Sequence, residues 1–259
     1  MFLFFIFVLG LFIGSFINVL ADRLPRNESV IKSRSRCDKC KKTLKWYDLI
    51  PLLSFIILKG KCRYCSIPLS FYYPIIEFTT GTMFAITTLF VVNNFQLPIT
   101  NYQLLITLIY HLFIISSLIV IFFADLKYGI IPDKIIFPAI FVSLLYIILN
   151  TYYLIPILSA VGAGLFFLLL FLITKGHGMG FGDVKFSFLI GLILGFPNII
   201  VSLYVAFLTG AIVGCILIIW RKKRLFGTAI PFGPFLVIGT LTAIFFGDTL
   251  IQTFLRVLL

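Results

Sequence analysis

The chain has 259 residues, of which 61% are apolar and only 12% charged, with a formal net charge of +12. A mean hydropathy of +1.15 excludes an ordinary soluble domain and points to a polytopic, all-α membrane protein. The basic excess does not indicate nucleic acid as a partner, because Lys and Arg cluster between apolar segments instead of forming a phosphate-binding surface.

A bilayer core requires roughly 20 apolar residues per helix. In chain order the apolar runs are 2–21, 71–92, 104–124, 134–150, 153–174, 184–196, 199–220 and 230–255, which predicts about eight spans. The first run lacks a basic leader and a small-x-small cleavage site, so it reads as a retained helix, not a signal peptide. The sixth run is short and ends at Pro197. A further run at 49–58 is too brief to span and is expected at the interface or packed beneath the bundle. The chain therefore divides into a first helix (1–21), a basic four-cysteine loop domain (22–70) and a helical membrane core (71–259).

Twelve of the 21 Lys and Arg residues fall in 22–70, and eight more lie in or beside the alternate connections around 125–134, 175–185 and 221–224. Only Arg256 is left for the other side. The positive-inside rule then places these loops in the cytoplasm and both termini outside.

Two acids stand at the ends of apolar runs on this basic side: Asp125 in FFADLKYGIIPD and Asp183 in KGHGMGFGDVK. A carboxylate at the lip of a span is costly unless it faces water or a partner. Two that lie close together cannot both ionise easily and titrate as a pair, the arrangement that lets one activate water while the other protonates a carbonyl. Gly180 and Gly182 remove side-chain bulk beside Asp183, so a substrate backbone has room to approach. The competing reading is of two helix-capping acids with Lys127 and Lys185 as ion-pair partners. A phosphate-binding glycine loop is disfavoured, since a membrane span and no βαβ unit precedes it.

Cys37, Cys40, Cys62 and Cys65 follow a C-x2-C-x21-C-x2-C pattern. Two such knuckles suit a tetrahedral zinc site, and a bound ion would order a short basic segment that has little core. Four reduced thiols, or a redox pair, are the alternatives. Cys215, alone in an apolar run, reads as packing. Gly14, Ser15 and Asn18 read as a helix-packing face. Lone His111 is expected to be hydrogen-bonded, and lone His177 makes a poor metal site.

GFGD at 180–183 resembles the G-x-G-D signature of membrane aspartyl proteases. Together with DLKYGIIPD (125–133), GSFINVLADRLP (14–25), RCDKC, CRYC, YYPIIEF and AIPFGPFLVIG, it is similar to the bacterial type IV prepilin leader peptidase family. The resemblance implies that Asp125 and Asp183 are the catalytic pair of an enzyme in the bacterial cytoplasmic membrane. Its substrates would be prepilin-like proteins with a basic leader, a Gly before the cut and an apolar helix after it. The cysteine loop marks the longer form, which also N-methylates the new amino terminus with S-adenosylmethionine. Glu77, near the start of a span, is then a candidate for methyl transfer or substrate-amine binding, or else an ion-pair partner of Arg63 or Lys61. Two other classes compete: a secondary transporter with intramembrane acidic sites, and a zinc-bearing membrane adaptor without chemistry.

Overall fold

The computed structural model describes residues 1–30, 34–37, 39–95, 102–150, 154–176, 178–221 and 231–258. Its elements are α1 (Phe2–Arg23), a 3-10 turn (Trp46–Leu49), α2 (Leu53–Ile57), α3 (Tyr72–Phe95), α4 (Tyr102–Tyr128), α5 (Asp133–Leu149), α6 (Leu154–Ile173), α7 (Phe181–Leu194), α8 (Asn198–Arg221) and α9 (Gly233–Leu258). Among the described residues there are two isolated β-bridges, Arg36 with Thr43 and Lys61 with Pro68. The eight long helices coincide with the eight apolar runs. Six of them are long and apolar enough to cross a membrane. The exceptions are α5, with 17 residues, and α7, with 14.

The chain folds as two compact units, Met1–Val120 and Ile121–Leu259. In the first, α1 lies along α3 at a distance only small residues permit. A Cβ on Gly14 would stand 2.7 Å from the Glu77 Cα, and one on Gly10 would stand 2.7 Å from the Gly81 Cα. Asn18 donates from Nδ2 to the Tyr73 carbonyl at 3.2 Å. The Gly14, Ser15 and Asn18 face therefore packs helix on helix, as its composition indicates. His111 bonds through Nδ1 to the Thr107 carbonyl at 2.8 Å, while His177 lies outside the described residues.

In the second unit α7 is the inner helix. At 14 residues it is about 21 Å long, short of a hydrocarbon core of about 30 Å. That is tolerable because its flank is protein, with Val184, Phe186, Ser187, Leu189, Ile190 and Leu192 all buried. Gly191 sets the closest approach, since a Cβ there would fall 2.3 Å from the Ala160 Cα of α6. The rings of Phe167 on α6, Phe207 on α8 and Phe232 just before α9 pack with centroids 5.2–6.4 Å apart. Such ring clusters add to area burial through offset and tilted contacts. Cys215 is exposed on α8.

Candidate active site and cysteine cluster

Asp125 sits one turn before the end of α4, and Gly129 closes that helix. The Gly129 N–H bonds to the Asp125 carbonyl at 2.8 Å, and its φ of +65° is the left-handed stop that glycine adopts without strain. The Asp125 side chain is buried, 5% exposed, and its Oδ2 accepts the Gly233 N–H at the start of α9 at 2.9 Å. A Cβ on Gly233 would lie 2.6 Å from that oxygen, so position 233 must lack a side chain for the contact to exist.

Asp183 lies in the first turn of α7, equally buried at 6% exposed. Its Oδ2 accepts the Gly180 N–H at 3.1 Å. Each carboxylate thus rests against a helix start, where N–H groups without helical partners favour negative charge. Both capping contacts are present, and Lys185 finds its ion-pair partner on another helix. Lys185 bonds to Asp133 at 2.6 Å, tying α5 to α7, and Lys127 lies over the Tyr128 ring. Asp183 is within electrostatic reach of Asp125, so two buried acids 58 positions apart in sequence are neighbours in this unit. Gly182 faces Ile131, whose Cβ would stand 3.1 Å from an added methyl, whereas at Gly180 the nearest atom is Asp183 Oδ2 at 3.6 Å. Gly182 therefore makes room for the α4–α5 connection and Gly180 leaves space beside the carboxylate. Sequence reasoning missed Gly233 as a partner of the pair. Its signals were a glycine ahead of a proline in PFGPF, at the mouth of an apolar run, and its place in AIPFGPFLVIG, one of the segments that carry the family resemblance.

The four sulfurs of Cys37, Cys40, Cys62 and Cys65 lie within 4.8 Å of one another. Two loops of the same design deliver them. In the first, the Cys37 N–H bonds to the Lys42 carbonyl and the Lys41 N–H to the Cys37 carbonyl; in the second, Cys62 and Ile67, then Ser66 and Cys62, repeat the pattern. Lys41 and Ser66 share a φ of +55°. Four thiolates at about 2.3 Å from a tetrahedral ion are about 3.8 Å apart, and the Cys37 and Cys65 sulfurs are 3.8 Å apart. The donor set fits a metal ion. The Cys40 backbone N–H leads the contacts that draw the Cys37 thiol down to about 7 against burial. At Cys65 the Ile67 N–H is outweighed by burial and by the Cys62, Cys40 and Cys37 sulfurs, which push it up to about 12. Sulfurs packed this closely resist becoming thiolate together unless a cation joins them.

Asp48 braces the second loop. Its carboxylate takes Arg63 at 2.7 Å, the Lys45 N–H at 3.1 Å and the Tyr64 hydroxyl at 3.2 Å. Burial works against the charge, but these three donors hold its carboxyl below the usual range. Arg63 is therefore not the partner of Glu77. Glu77, buried in α3, accepts the Leu52 N–H at 2.9 Å.

Residues 8–91 match the family model described as the Bacterial Peptidase A24 N-terminal domain, and residues 112–215 match that of the Type IV leader peptidase family. A prepilin leader peptidase/N-methyltransferase of Bacillus subtilis (strain 168) is 30% identical over 259 residues, covering 98% of both chains. The chain belongs to the prepilin leader peptidase/N-methyltransferase family. The relative from Legionella pneumophila is 33% identical, covering 96% of this chain and 93% of its own. That from Burkholderia pseudomallei (strain K96243) is 29% identical, with 94% and 85% covered. No solved structure matches the chain. Within the family's two segments, the cysteine cluster and Glu77 fall in the N-terminal one and both aspartates in the peptidase one.

Proposed function

We propose that this chain is a prepilin leader peptidase of the bacterial cytoplasmic membrane that also N-methylates the amino terminus it exposes. The observation that supports the peptidase reading is that Asp125 and Asp183, from different helices, are both buried and lie within electrostatic reach of each other. With one proton between them, one carboxylate takes a proton from water as it attacks the scissile carbonyl carbon. The other donates its proton to the carbonyl oxygen. Collapse of the tetrahedral adduct breaks the C–N bond, and a proton passes to the leaving amine. The N–H groups of Gly180 and Gly233 fix the two side chains in place while this happens. The space at Gly180 is the approach for the substrate backbone, and Gly182 keeps the neighbouring connection clear of it.

Cys37, Cys40, Cys62 and Cys65 hold a structural zinc ion, as the sulfur spacing supports. The loops that carry them face the cytoplasm together with both aspartates, as the distribution of basic residues requires. S-adenosylmethionine, when bound, supplies the methyl group from its sulfonium. In the N-terminal unit, Asn18 Oδ1 is buried without a hydrogen-bond partner, one turn along α1 from Gly14, which packs on Glu77, and this fits a polar guest at that place. A transporter reading is disfavoured because the acids are held against helix starts near helix ends and not at a midplane break.

The test is co-expression with a prepilin and measurement of its intact mass, where leader loss and methylation are separately visible. Asp125→Asn or Asp183→Asn should lower cleavage by roughly two to four orders of magnitude, with the double variant little worse than either single one. Near-normal cleavage by both single variants would refute the two-carboxylate mechanism.

A further inference from the structure

The segment between α1 and α3 carries an apolar surface that the peptidase reading does not use. Leu53, Ile56 and Ile57 of α2 are 57%, 70% and 68% exposed, and their spacing puts them on one side of the helix. Phe55 is half-buried and packs edge-on against the Phe71 ring at 5.3 Å. Trp46, just before this helix, is 77% exposed. A water-facing helix would place polar residues where these aliphatic side chains stand.

Two hydrogen bonds fix how deep this segment sits in its own unit. The Ser15 hydroxyl donates to the Leu49 carbonyl, and Ser15 lies eight residues before the end of α1. Leu52 donates its N–H to Glu77, five residues into α3. At 1.5 Å per residue, these partners lie about 12 Å and 8 Å inside the helix ends. The chain thus leaves α1, builds the first cysteine loop, and dips back beside the two spans before α2 begins. At the bottom of the dip, Leu52 adopts φ +57° and ψ −47°, the backbone of a tight three-residue turn that large residues rarely adopt. Lys45, Lys59 and Lys61 flank the dip in sequence.

We propose that Leu49–Leu58 is a re-entrant segment set into the bilayer. Leu53, Ile56 and Ile57 lie among the upper acyl chains, and the flanking lysines rise to anionic headgroups. The occupant of this surface is lipid, because the partners of Leu49 and Leu52 are span residues and the flanking charge complements an anionic leaflet. The segment would seat the cysteine loops on the membrane surface, and this inference stands whether or not the peptidase reading does.

The chain has two Trp residues, which allows a direct test. Trp46→Phe and Trp220→Phe with Ile56→Trp give a single reporter on the full-length protein, reconstituted in phosphatidylcholine and phosphatidylglycerol vesicles. Phosphatidylcholine brominated near the top of its acyl chains should remove most of the emission, and aqueous iodide should remove little. Strong iodide quenching without bromolipid quenching would put the segment in water and overturn the proposal. Shielding from both quenchers would mean that protein, such as a second copy, covers the face, and would overturn it equally. Leu53→Trp in the same background, one turn earlier on the same side, provides the reading should Ile56→Trp fail to fold.

Discussion

In Met1–Val120 four sulfurs are gathered by two short loops, each of which forms its own hydrogen bonds within a few residues of its cysteines. In Ile121–Leu259 two carboxylates are gathered by whole helices. Asp125 reaches 108 positions along the chain to the Gly233 N–H, and Asp183 is carried by a helix whose flank is sealed by neighbours. The first arrangement is locally encoded and lacks a core of its own, so its order depends on what binds it. The second is encoded by packing, so its order depends on small residues at close contacts. The difference forecasts where each site breaks: the cysteine site on loss of a ligand, the aspartate site on addition of a methyl group.

The largest effect should come from Cys37→Ser with Cys40→Ser. Structural zinc supplies on the order of 10 kcal/mol to small domains that lack a core. We expect metal content to fall from about one zinc per chain to background, and the 22–70 loop to become protease-sensitive. Leader cleavage should persist in part, because both acids lie in the other unit, while methylation should suffer more. Stoichiometric metal in the double variant would break the comparison, since the ion would then have other ligands.

Gly233→Ala comes next. The added methyl would enter at 2.6 Å from Asp125 Oδ2, and the carboxylate can escape only by rotating away from the Gly233 N–H. A misplacement near 1 Å costs about a hundredfold when geometry is catalytic. Cleavage should fall by roughly 10- to 100-fold with insertion and thermal unfolding little changed. Wild-type cleavage by Gly233→Ala would mean that this hydrogen bond does not set the position of Asp125.

The same contrast explains what the sequence made legible. The cysteine spacing was readable because C-x2-C fixes a loop whatever surrounds it, and the two loops have the geometry that spacing demands. The helices were readable because lipid imposes length and hydropathy on each run separately. Residues whose role is set across the fold were not readable. Of the ion-pair partners that Glu77 offered beside a functional role, Arg63 and Lys61, the arginine is taken by Asp48, through a turn that no periodicity predicts. Lys185 looked like the partner of adjacent Asp183, yet it reaches Asp133 on another helix. Gly182 and Gly180 looked equivalent, but one faces Ile131 and the other faces the carboxylate. For Lys185 and Gly182 the neighbour in sequence lost to one brought in from another segment, whereas Arg63 and Gly180 were decided by contacts within their own loops.

The smallest effect on cleavage, and the sharpest division between the two units, should come from Glu77. Its Oε2 accepts the Leu52 N–H at a turn where Leu52 holds a positive φ, so the side chain's visible work is to fix the Leu49–Leu52 dip against α3. Glu77→Gln keeps a carbonyl oxygen at the same reach and still accepts that N–H. Glu77→Ala leaves the donor without its acceptor, at a cost of about 1–3 kcal/mol, and frees the turn. Neither change should touch leader cleavage, which we assign to carboxylates of the other unit. If Glu77 serves methyl transfer by holding this turn, the Gln variant retains methylation within a few-fold and the Ala variant loses most of it. Proteolysis of the 22–70 loop should follow the same order. Equal loss of methylation in both variants, with the loop still protected, would instead assign the carboxylate charge a direct part in the transfer. The polar seam around Asn18 and Glu77 would then be a reacting site, and the N-terminal unit would no longer differ from the other in having its chemistry encoded locally.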